Sequence, residues 1–275
     1  MADWNDWIGR TQEQADILTP ALLARFRATI DSEHIGDIAP QGIHWCLCLP
    51  DTATAELGED GHPRKGGWLP PIPLPRRMWA SSKVTFNAAI RAGDDITRHS
   101  TIASIVEKKG SSGSLVFVDI NHEILANGQP TVSERQTLVY REVSMAAPTP
   151  RPANVVQDMS EWQWHNSLTP SESLLFRYSA LTFNCHRIHY DHPYAVEAEH
   201  YRGLVVQGPL TATLLLDLAG RALGANKLKQ FSFRGQSPAF AGEPLHLVGK
   251  VNSSAVTLAA LGDDGRVVIT AEASL

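Results

Sequence analysis

The chain has 275 residues, of which 43% are hydrophobic and 19% charged, and its formal net charge is −5 with a pI near 6.1. This composition is typical of a globular protein large enough for two modest cores, and it excludes a mainly disordered chain. The acidic balance, without a basic stripe, argues against nucleic-acid binding.

Several features predict a cytoplasmic protein without a membrane segment. The longest apolar run, residues 210–223, contains Asp217 and Arg221 and is too polar to span a bilayer. The first ten residues, MADWNDWIGR, lack the basic start and apolar core of a signal peptide. Cys46, Cys48 and Cys185 are too few and too irregularly spaced for a disulfide framework or a zinc site.

The first half of the chain predicts a helix, a strand, a long loop and an antiparallel sheet. Residues 20–31 carry apolar side chains at helical spacing, and residues 42–49 have the pattern of a strand with two core cysteines on one face. Residues 50–75 are rich in Gly, Pro and charge and predict a binding loop or a mobile cover. The sheet is predicted from β-like runs at 83–90, 97–107, 114–124 and 131–142.

After a proline-rich segment near residues 145–159, the second half repeats this style. It predicts a strand at 174–182, helices at 193–201 and 210–223, and four further strands. Those strands are expected near 227–234, 244–251, 255–261 and 266–273. A curved sheet around the 210–223 helix is the expected arrangement. The phrases RAGDDITRHSTI and FAGEPLHLVGKV both place a Gly-acid step before a strand, which indicates an internal duplication.

The stretch from Phe176 to Ala195 is the best candidate for a functional site. It gathers polar side chains at a predicted strand-to-helix junction, where they can be held rigidly while facing a cavity. These residues are Asn184, His186, His189, Tyr190 and Asp191. The alternative is that the histidines satisfy buried hydrogen bonds or lie exposed at a helix start. Their spacing does not suit a metal site, so no metal is expected.

Two motifs resemble those of the MaoC-like double hotdog hydratases and dehydratases. They are FNCHRIH at residues 183–189 and VVQGPL at residues 205–210. The spacing matches the family signature Gly-Asp-x-Asn-Pro-Leu-His and the later glycine that opens a central helix. By this resemblance His189 is the catalytic histidine, Gly208 opens the helix, and Asn184 replaces the usual aspartate. His186 and Arg187 also depart from the family pattern.

The resemblance implies an α+β double hotdog fold with two antiparallel sheets, each wrapped on a central helix. Residues 1–145 would form a non-catalytic hotdog domain that binds the acyl end of a thioester. Residues 146–160 would be a linker, and residues 161–275 would form the catalytic hotdog domain. The family also implies a homo-oligomer that needs no cofactor, because CoA is part of the substrate.

Longer phrases are similar to a narrower branch of the family. FRYSALTFNCHRIHYD, LPRRMWASSKVTF and SGSLVFVDINHEI resemble the branch that contains mesaconyl-C4-CoA and itaconyl-CoA hydratases together with mitochondrial-type 3-hydroxyacyl-thioester dehydratases. This resemblance implies a hydro-lyase that forms citramalyl-CoA from itaconyl-CoA, mesaconyl-C4-CoA or both. A 3-hydroxyacyl-ACP or -CoA dehydratase with an apolar tunnel is one alternative, and a non-catalytic acyl-CoA binding protein is another.

The residues themselves can be matched to this chemistry. Hydration of an enoyl thioester needs a base for water, an acid for the α-carbon and a charge sink for the enolate oxygen. His189, with an ordinary pKa of about 6.5, suits proton transfer. Asn184 cannot act as a base but can hold water. The amide of Gly208 at a helix N-terminus can stabilise the oxyanion, and Asp191 is a candidate for the missing carboxylate.

Substrate contacts are expected from cationic and neighbouring side chains. Arg187, Arg76 and Arg77 are candidates for binding a substrate carboxylate, and Arg234 is a candidate for the CoA phosphates. For each arginine, the alternative is a solvated surface charge. Tyr190, as a pocket wall, and Gln207, next to Gly208, complete the predicted substrate-binding set, which is Arg187, Tyr190, Gln207, Arg76, Arg77 and Arg234.

Overall fold

The computed structural model describes residues 4–110, 113–142 and 158–275, which form a single ten-stranded antiparallel sheet around one long helix. The strands are β1 Thr11–Ile17, β2 Arg76–Phe86, β3 Asp95–Gly110, β4 Gly113–Ala126, β5 Gln129–Arg141, β6 Trp164–Leu168, β7 Gln230–Gly235, β8 Leu245–Asn252, β9 Ala255–Gly262 and β10 Val267–Ser274. The helices are α1 Pro20–Thr29, α2 Glu172–Leu181 and α3 Gly208–Leu223. The α+β class is as predicted.

The sheet consists of two halves with the same internal order. Its strand order is β1-β3-β4-β5-β2-β7-β10-β9-β8-β6, so the N-terminal half (β1–β5) mirrors the C-terminal half (β6–β10). The halves join through β2 and β7, where Ser81 pairs with Arg234 and Thr85 pairs with Gln230. The Gly-acid phrases precede β3 and β8, which occupy equivalent places. This symmetry supports the predicted duplication.

The central helix α3 belongs to the C-terminal half and fills the main core. Every residue from Leu210 to Ala219 is buried, and the helix packs against β6, β8, β9, β10 and β2. At the equivalent place in the N-terminal half, Gln41-Gly42 leads only into a 3₁₀ turn, Ile43–Cys46. The expectation of two sheets, each with its own central helix, is therefore corrected to one shared sheet with one long helix.

A smaller core lies in the N-terminal half, beneath the long loop. Ile72 and Leu74 from that loop pack on apolar side chains of β3, β4 and β5. The sheet residues in this cluster are Ile102, Val116, Val118, Ile120 and Tyr140. The predicted loop 50–75 is therefore fastened at its C-terminal end by burial of apolar surface.

Two predicted strands are wrong. Residues 42–49 form the buried 3₁₀ turn instead, with Gly42 at φ 99° and Cys48 at φ 52°, values incompatible with a strand. Residues 174–182 belong to helix α2, whose Ser171 N-cap accepts a hydrogen bond from the Leu174 amide at 3.1 Å. Short apolar runs do not distinguish a buried strand from a buried helix, and the capping serine was the signal that mattered.

The other elements of the second half follow the prediction only in part. The strands predicted in the second half correspond to β7–β10, and the 193–201 helix is a short π-helical turn, Tyr194–Ala198. The edge strands β1 and β6 were not predicted. The proposed linker falls largely on residues 143–157, outside the described residues. Within the described part of the chain, no helix is both long and apolar enough to cross a membrane.

The two N-terminal cysteines are core residues, as predicted. Cys46 and Cys48 are almost fully buried and carry free thiols. Burial raises the pKa of the Cys46 thiol and brings that of Cys48 to about 11. A thiol that stays protonated is a poor nucleophile, so neither residue has the character of a redox centre.

Candidate active site

The site begins where helix α2 ends. The Asn184 amide donates to the Ser179 carbonyl at 2.9 Å, while Phe183 takes the left-handed conformation at φ 46°. This is the hydrogen-bond pattern of a Schellman motif, which turns the chain sharply away from the helix. The predicted strand-to-helix junction is therefore a helix-to-loop junction.

His189 is buried and has one ring nitrogen engaged by the backbone. Its Nδ1 lies 2.7 Å from the Val205 carbonyl oxygen, and the Ile188 carbonyl accepts from the Val205 amide at 2.9 Å. A carbonyl can only accept, so Nδ1 carries the hydrogen and Nε2 of the neutral ring is the acceptor. Burial lowers the pKa of His189 to about 4, so the imidazole is neutral at pH 7 and its Nε2 lone pair is available to accept a proton.

The N-terminus of α3 follows three residues after Val205, whose carbonyl holds the His189 ring. Gln207 is its N-cap and Pro209 occupies the first turn, so the Gly208 amide has no partner within the helix. A side chain built on Gly208 would meet no heavy atom within 4 Å. Open space beside an unpaired amide at the positive end of a 16-residue helix suits a developing oxyanion.

Asn184 and His186 follow the end of α2. The Asn184 Oδ1 accepts from the His186 amide at 3.0 Å, which leaves the Asn184 NH₂ group to bind water or substrate. The His186 ring packs edge-on against the His189 ring, with centroids 5.3 Å apart. Asn184, His186 and His189 are therefore brought together as the sequence predicted.

The long loop of the N-terminal half adds residues that the sequence did not predict. Asp60 accepts from the His62 amide at 3.0 Å through Oδ1, and its Oδ2 lies 2.9 Å from His62 Nδ1. The His62 ring packs on the His186 ring with centroids 4.1 Å apart. Asp-Gly-His in a loop rich in Gly and Pro was the available signal, but nothing local showed that this loop reaches the other half.

Burial and neighbouring charges lower the pKa values of the histidines in the cluster, while Asp60 partly offsets this for His62. Burial lowers the pKa of both His62 and His186, and for His186 the neighbouring imidazoles lower it further. Burial would raise the pKa of Asp60, but the hydrogen bond and charge of His62 outweigh it and hold that pKa well below its usual range. The cluster thus contains one fixed negative charge and three imidazoles, of which His62 is nearest to that charge.

Arg187, Tyr190 and Asp191 bond to groups other than the His189 ring. Arg187 Nε and a terminal nitrogen donate to Asp191 Oδ2 at 2.9 and 2.7 Å, and the guanidinium lies over the Tyr194 ring. Asp191 also accepts from the Tyr194 amide at 3.1 Å. The Tyr190 hydroxyl donates to the Cys185 carbonyl. Asp191 therefore orients Arg187, and Val205 rather than Asp191 orients His189.

Of the other predicted substrate-binding residues, Arg76 and Gln207 are buried and bonded within the protein, whereas Arg234 is exposed. Arg76 is buried in an ion pair with Glu199, at 2.5 Å, and Gln207 donates to the Leu175 carbonyl and Ser179 hydroxyl. Arg234 is exposed on the outer face of β7, opposite the buried Phe231 and Phe233.

Arg77 is different from the other arginines. It makes no ion pair with any described residue. Burial is the main cause of the lowered pKa of His62 and His186, and the charge of Arg77 lowers both further. Arg77 also pairs across β2 and β5 with the fully buried Tyr140.

Asp60, His62 and His186 are the one group of described residues whose possible metal-ligating atoms lie within 4.8 Å of one another. Imidazole ligands direct a ring nitrogen at the ion, usually with the other N–H held by a second group. Here the rings of His62 and His186 pack against each other, tilted by 40°, and both Asp60 oxygens already accept from His62. The arrangement fits a hydrogen-bonded acid–base cluster. The absence of a metal or cofactor stays a prediction.

Solved structures with this architecture include MaoC-like dehydratases. One from Phytophthora capsici has a TM-score of 0.73 at 13% identity and covers 99% of this chain and 97% of its own. A double hotdog protein from Mycobacterium tuberculosis has a TM-score of 0.59 at 13% identity, with 97% and 95% covered. The predicted double hotdog fold is confirmed.

The chain belongs to the hydroxyacyl-thioester dehydratase type 2 family, whose profile matches residues 42–241. It is 39% identical to the mesaconyl-C(4)-CoA hydratase of Chloroflexus aurantiacus over all of this chain and 98% of that protein. It is 26% identical to the mitochondrial hydroxyacyl-thioester dehydratase type 2 of Schizosaccharomyces pombe, over 84% and 87%. The predicted family is confirmed, and the protein is an enzyme of the hydro-lyase class.

Proposed function

We propose that this protein hydrates an enoyl-CoA thioester with a carboxylate on its β-carbon, namely mesaconyl-C4-CoA, itaconyl-CoA or both, and forms citramalyl-CoA. The observation that carries the proposal is the neutral His189 ring, which is held by the Val205 carbonyl. Val205 lies three residues before Gly208, at the open N-terminus of α3. The likeness to a mesaconyl-C(4)-CoA hydratase over the whole chain supports the choice of substrate.

The residues divide the reaction between them. His189 Nε2 takes a proton from water as the water oxygen attacks the β-carbon. The Gly208 amide, at the positive end of α3, stabilises the negative charge that moves onto the thioester oxygen. Asn184 holds the water through its side-chain amide. With itaconyl-CoA, loss of an α-proton would give a dienolate that the same amide stabilises, so one site can serve both substrates.

Arg77 is the arginine best placed to bind the substrate carboxylate. In mesaconyl-C4-CoA that carboxylate is attached to the carbon that receives the hydroxyl group, so its partner must lie beside the acid–base cluster. Arg187 and Arg76 are engaged by Asp191 and Glu199, whereas Arg77 has no such partner among the described residues. A guanidinium offers the paired donors that a carboxylate accepts. The acyl end would then lie against the N-terminal half.

A substrate panel tests the proposal. Purified protein is mixed with mesaconyl-C4-CoA, itaconyl-CoA, crotonyl-CoA and octenoyl-CoA, and products are identified by mass spectrometry. The proposal requires citramalyl-CoA formation with a higher kcat/KM than for crotonyl-CoA. Faster turnover of octenoyl-CoA would favour the fatty-acyl dehydratase suggested by the Schizosaccharomyces pombe relative. Tight binding without turnover of any ester would show a binding protein instead.

We also propose that the enzyme is a cytoplasmic homo-oligomer. Three free thiols among the described residues suit a reducing compartment. Size-exclusion chromatography with light scattering tests the oligomeric state, and a monomer would contradict it.

A further inference from the structure

The loop that carries Asp60 and His62 is built against the C-terminal half. Gly61 adopts φ 86°, and a side chain at this position would overlap the Cys185 carbonyl. The Arg187 amide donates to the Asp60 carbonyl at 2.9 Å, and the Cys185 thiol donates to the Gly61 carbonyl at 3.0 Å. A glycine required by both conformation and space shows that the close approach is specific.

The pair itself has the form of an acid–base unit. Asp60 uses both carboxylate oxygens on His62, and each side chain is 22% exposed. With Nδ1 on the carboxylate, the other ring nitrogen, Nε2, faces out of the pair. A carboxylate at Nδ1 favours the protonated ring, because the imidazolium forms a charge-assisted hydrogen bond with it.

The reaction lacks a second proton-transfer group without this pair. Asn184 does not titrate, and its Oδ1 is taken by the His186 amide. Asp191 is bonded to Arg187. Both ring nitrogens of His189 already have roles, since Nδ1 is held by Val205 and Nε2 takes the proton from water. Asp60 is therefore the carboxylate that acts on the histidine cluster.

We propose that His62 is the second acid–base residue of the active site and that Asp60 positions it, so that the N-terminal half takes part in catalysis. This inference rests on the proposed hydratase activity. The water O–H bond breaks and its proton moves to His189 Nε2, while the water oxygen forms the C–O bond at the β-carbon. The double-bond electrons move onto the thioester to form the enolate. The enolate α-carbon then takes the proton from His62 Nε2. His189 afterwards loses one proton to solvent and His62 regains one, so the cycle balances.

His186 contacts both acid–base residues. Its ring centroid lies 4.1 Å from that of His62 and 5.3 Å from that of His189. Because charged imidazoles repel one another, one ring at a time carries the proton, and the ring beside Asp60 holds it best. The proposal replaces the expectation that the N-terminal half is non-catalytic.

Three variants test the proposal. His62→Gln keeps a hydrogen-bonding side chain of similar size but cannot titrate, and it should lower kcat/KM by about 10²–10⁴-fold with little change in KM and in melting temperature. Asp60→Asn should cause a smaller loss. The control is His99→Gln, because His99 Nδ1 pairs with Glu13 at 3.2 Å on the protein surface and should leave activity unchanged.

A pH profile separates catalysis from a structural role. The charged and titratable groups around His62 are Asp60 and Lys65 on its own loop, Arg77 on β2, and His186 and His189 from the C-terminal half. Removal of the Asp60 charge favours the neutral ring, so the alkaline limb of kcat/KM should move to lower pH in Asp60→Asn. An unchanged profile would overturn the positioning role.

Proton exchange gives a readout that does not need hydration. Butyryl-CoA in D₂O should gain deuterium at the α-carbon with wild-type protein and with His189→Gln, but not with His62→Gln. Hydration by wild type together with normal activity of His62→Gln would overturn the inference and leave the proposed function standing. Exchange that depends on His62, without hydration of any enoyl-CoA, would overturn the proposed function and leave the role of His62 standing. A wild-type protein with neither activity overturns both.

Discussion

Gly61→Ala is the sharpest test of how the two halves meet. The left-handed conformation costs an alanine about 1–2 kcal/mol. The methyl group would also overlap the Cys185 carbonyl, and a backbone atom cannot rotate away, so the loop must move by roughly 1 Å. That movement weakens the hydrogen bonds from the Arg187 amide and the Cys185 thiol, at about 1 kcal/mol each.

Gly66→Ala is the matched control in the same loop. Gly66 has φ 93°, but its nearest atom to a built side chain is Pro71 Cβ at 3.5 Å, an ordinary contact. It should lose only the conformational cost, about 1–2 kcal/mol. Gly61→Ala should lose about 3–4 kcal/mol, because the hydrogen-bond losses add to that cost.

Activity separates the two glycine variants further. Displacement of Asp60 and His62 by about 1 Å should lower kcat by roughly 10²-fold in Gly61→Ala. Gly66→Ala should stay near the wild-type rate. Urea unfolding measures the free energies, and citramalyl-CoA formation measures the rates. Equal rates and equal stabilities for the two variants would refute the claim that this close contact places the acid–base pair.

The remaining predictions concern the base and the substrate carboxylate. His189→Gln should lower kcat/KM for hydration by about 10²–10⁴-fold, measured by the same product assay, and a fully active variant would exclude His189 as the base. The pKa of His189 is lowered to about 4 by burial, so this residue contributes stability above pH 6.5 that is lost as pH falls towards 4. Between pH 7 and pH 4 the free energy of unfolding, measured with urea, should therefore fall less steeply in His189→Gln than in wild type, by up to about 1.4 kcal/mol per pH unit. Equal slopes in the two proteins would contradict this. Arg77→Met should remove a preference for succinyl-CoA over butyryl-CoA in calorimetric binding, because only succinyl-CoA has a carboxylate on the β-carbon, while Arg135→Met on the outer face of the sheet should keep it. If Arg77→Met also keeps the preference, the carboxylate lies elsewhere.

The sequence by itself determined the fold family, the central helix and the central part of the site. Asn184, His189 and Gly208 lie in two short motifs whose spacing is local, and helix α3 and strands β7–β10 follow from strong periodicity and turn residues. Local geometry of this kind is encoded by neighbouring residues, so it can be inferred without a three-dimensional structure.

The tertiary structure decided which charged groups meet. Asp60 and His62 lie more than a hundred residues before His186, and only the folded loop brings them onto it. Arg187 and Asp191 were candidates because they stand in or just after the motif, yet they bond to each other. The apolar run 174–182 became a helix because Ser171 caps it and the turn after it places Asn184. Contacts between distant segments depend on chain packing, and neither composition nor periodicity records them.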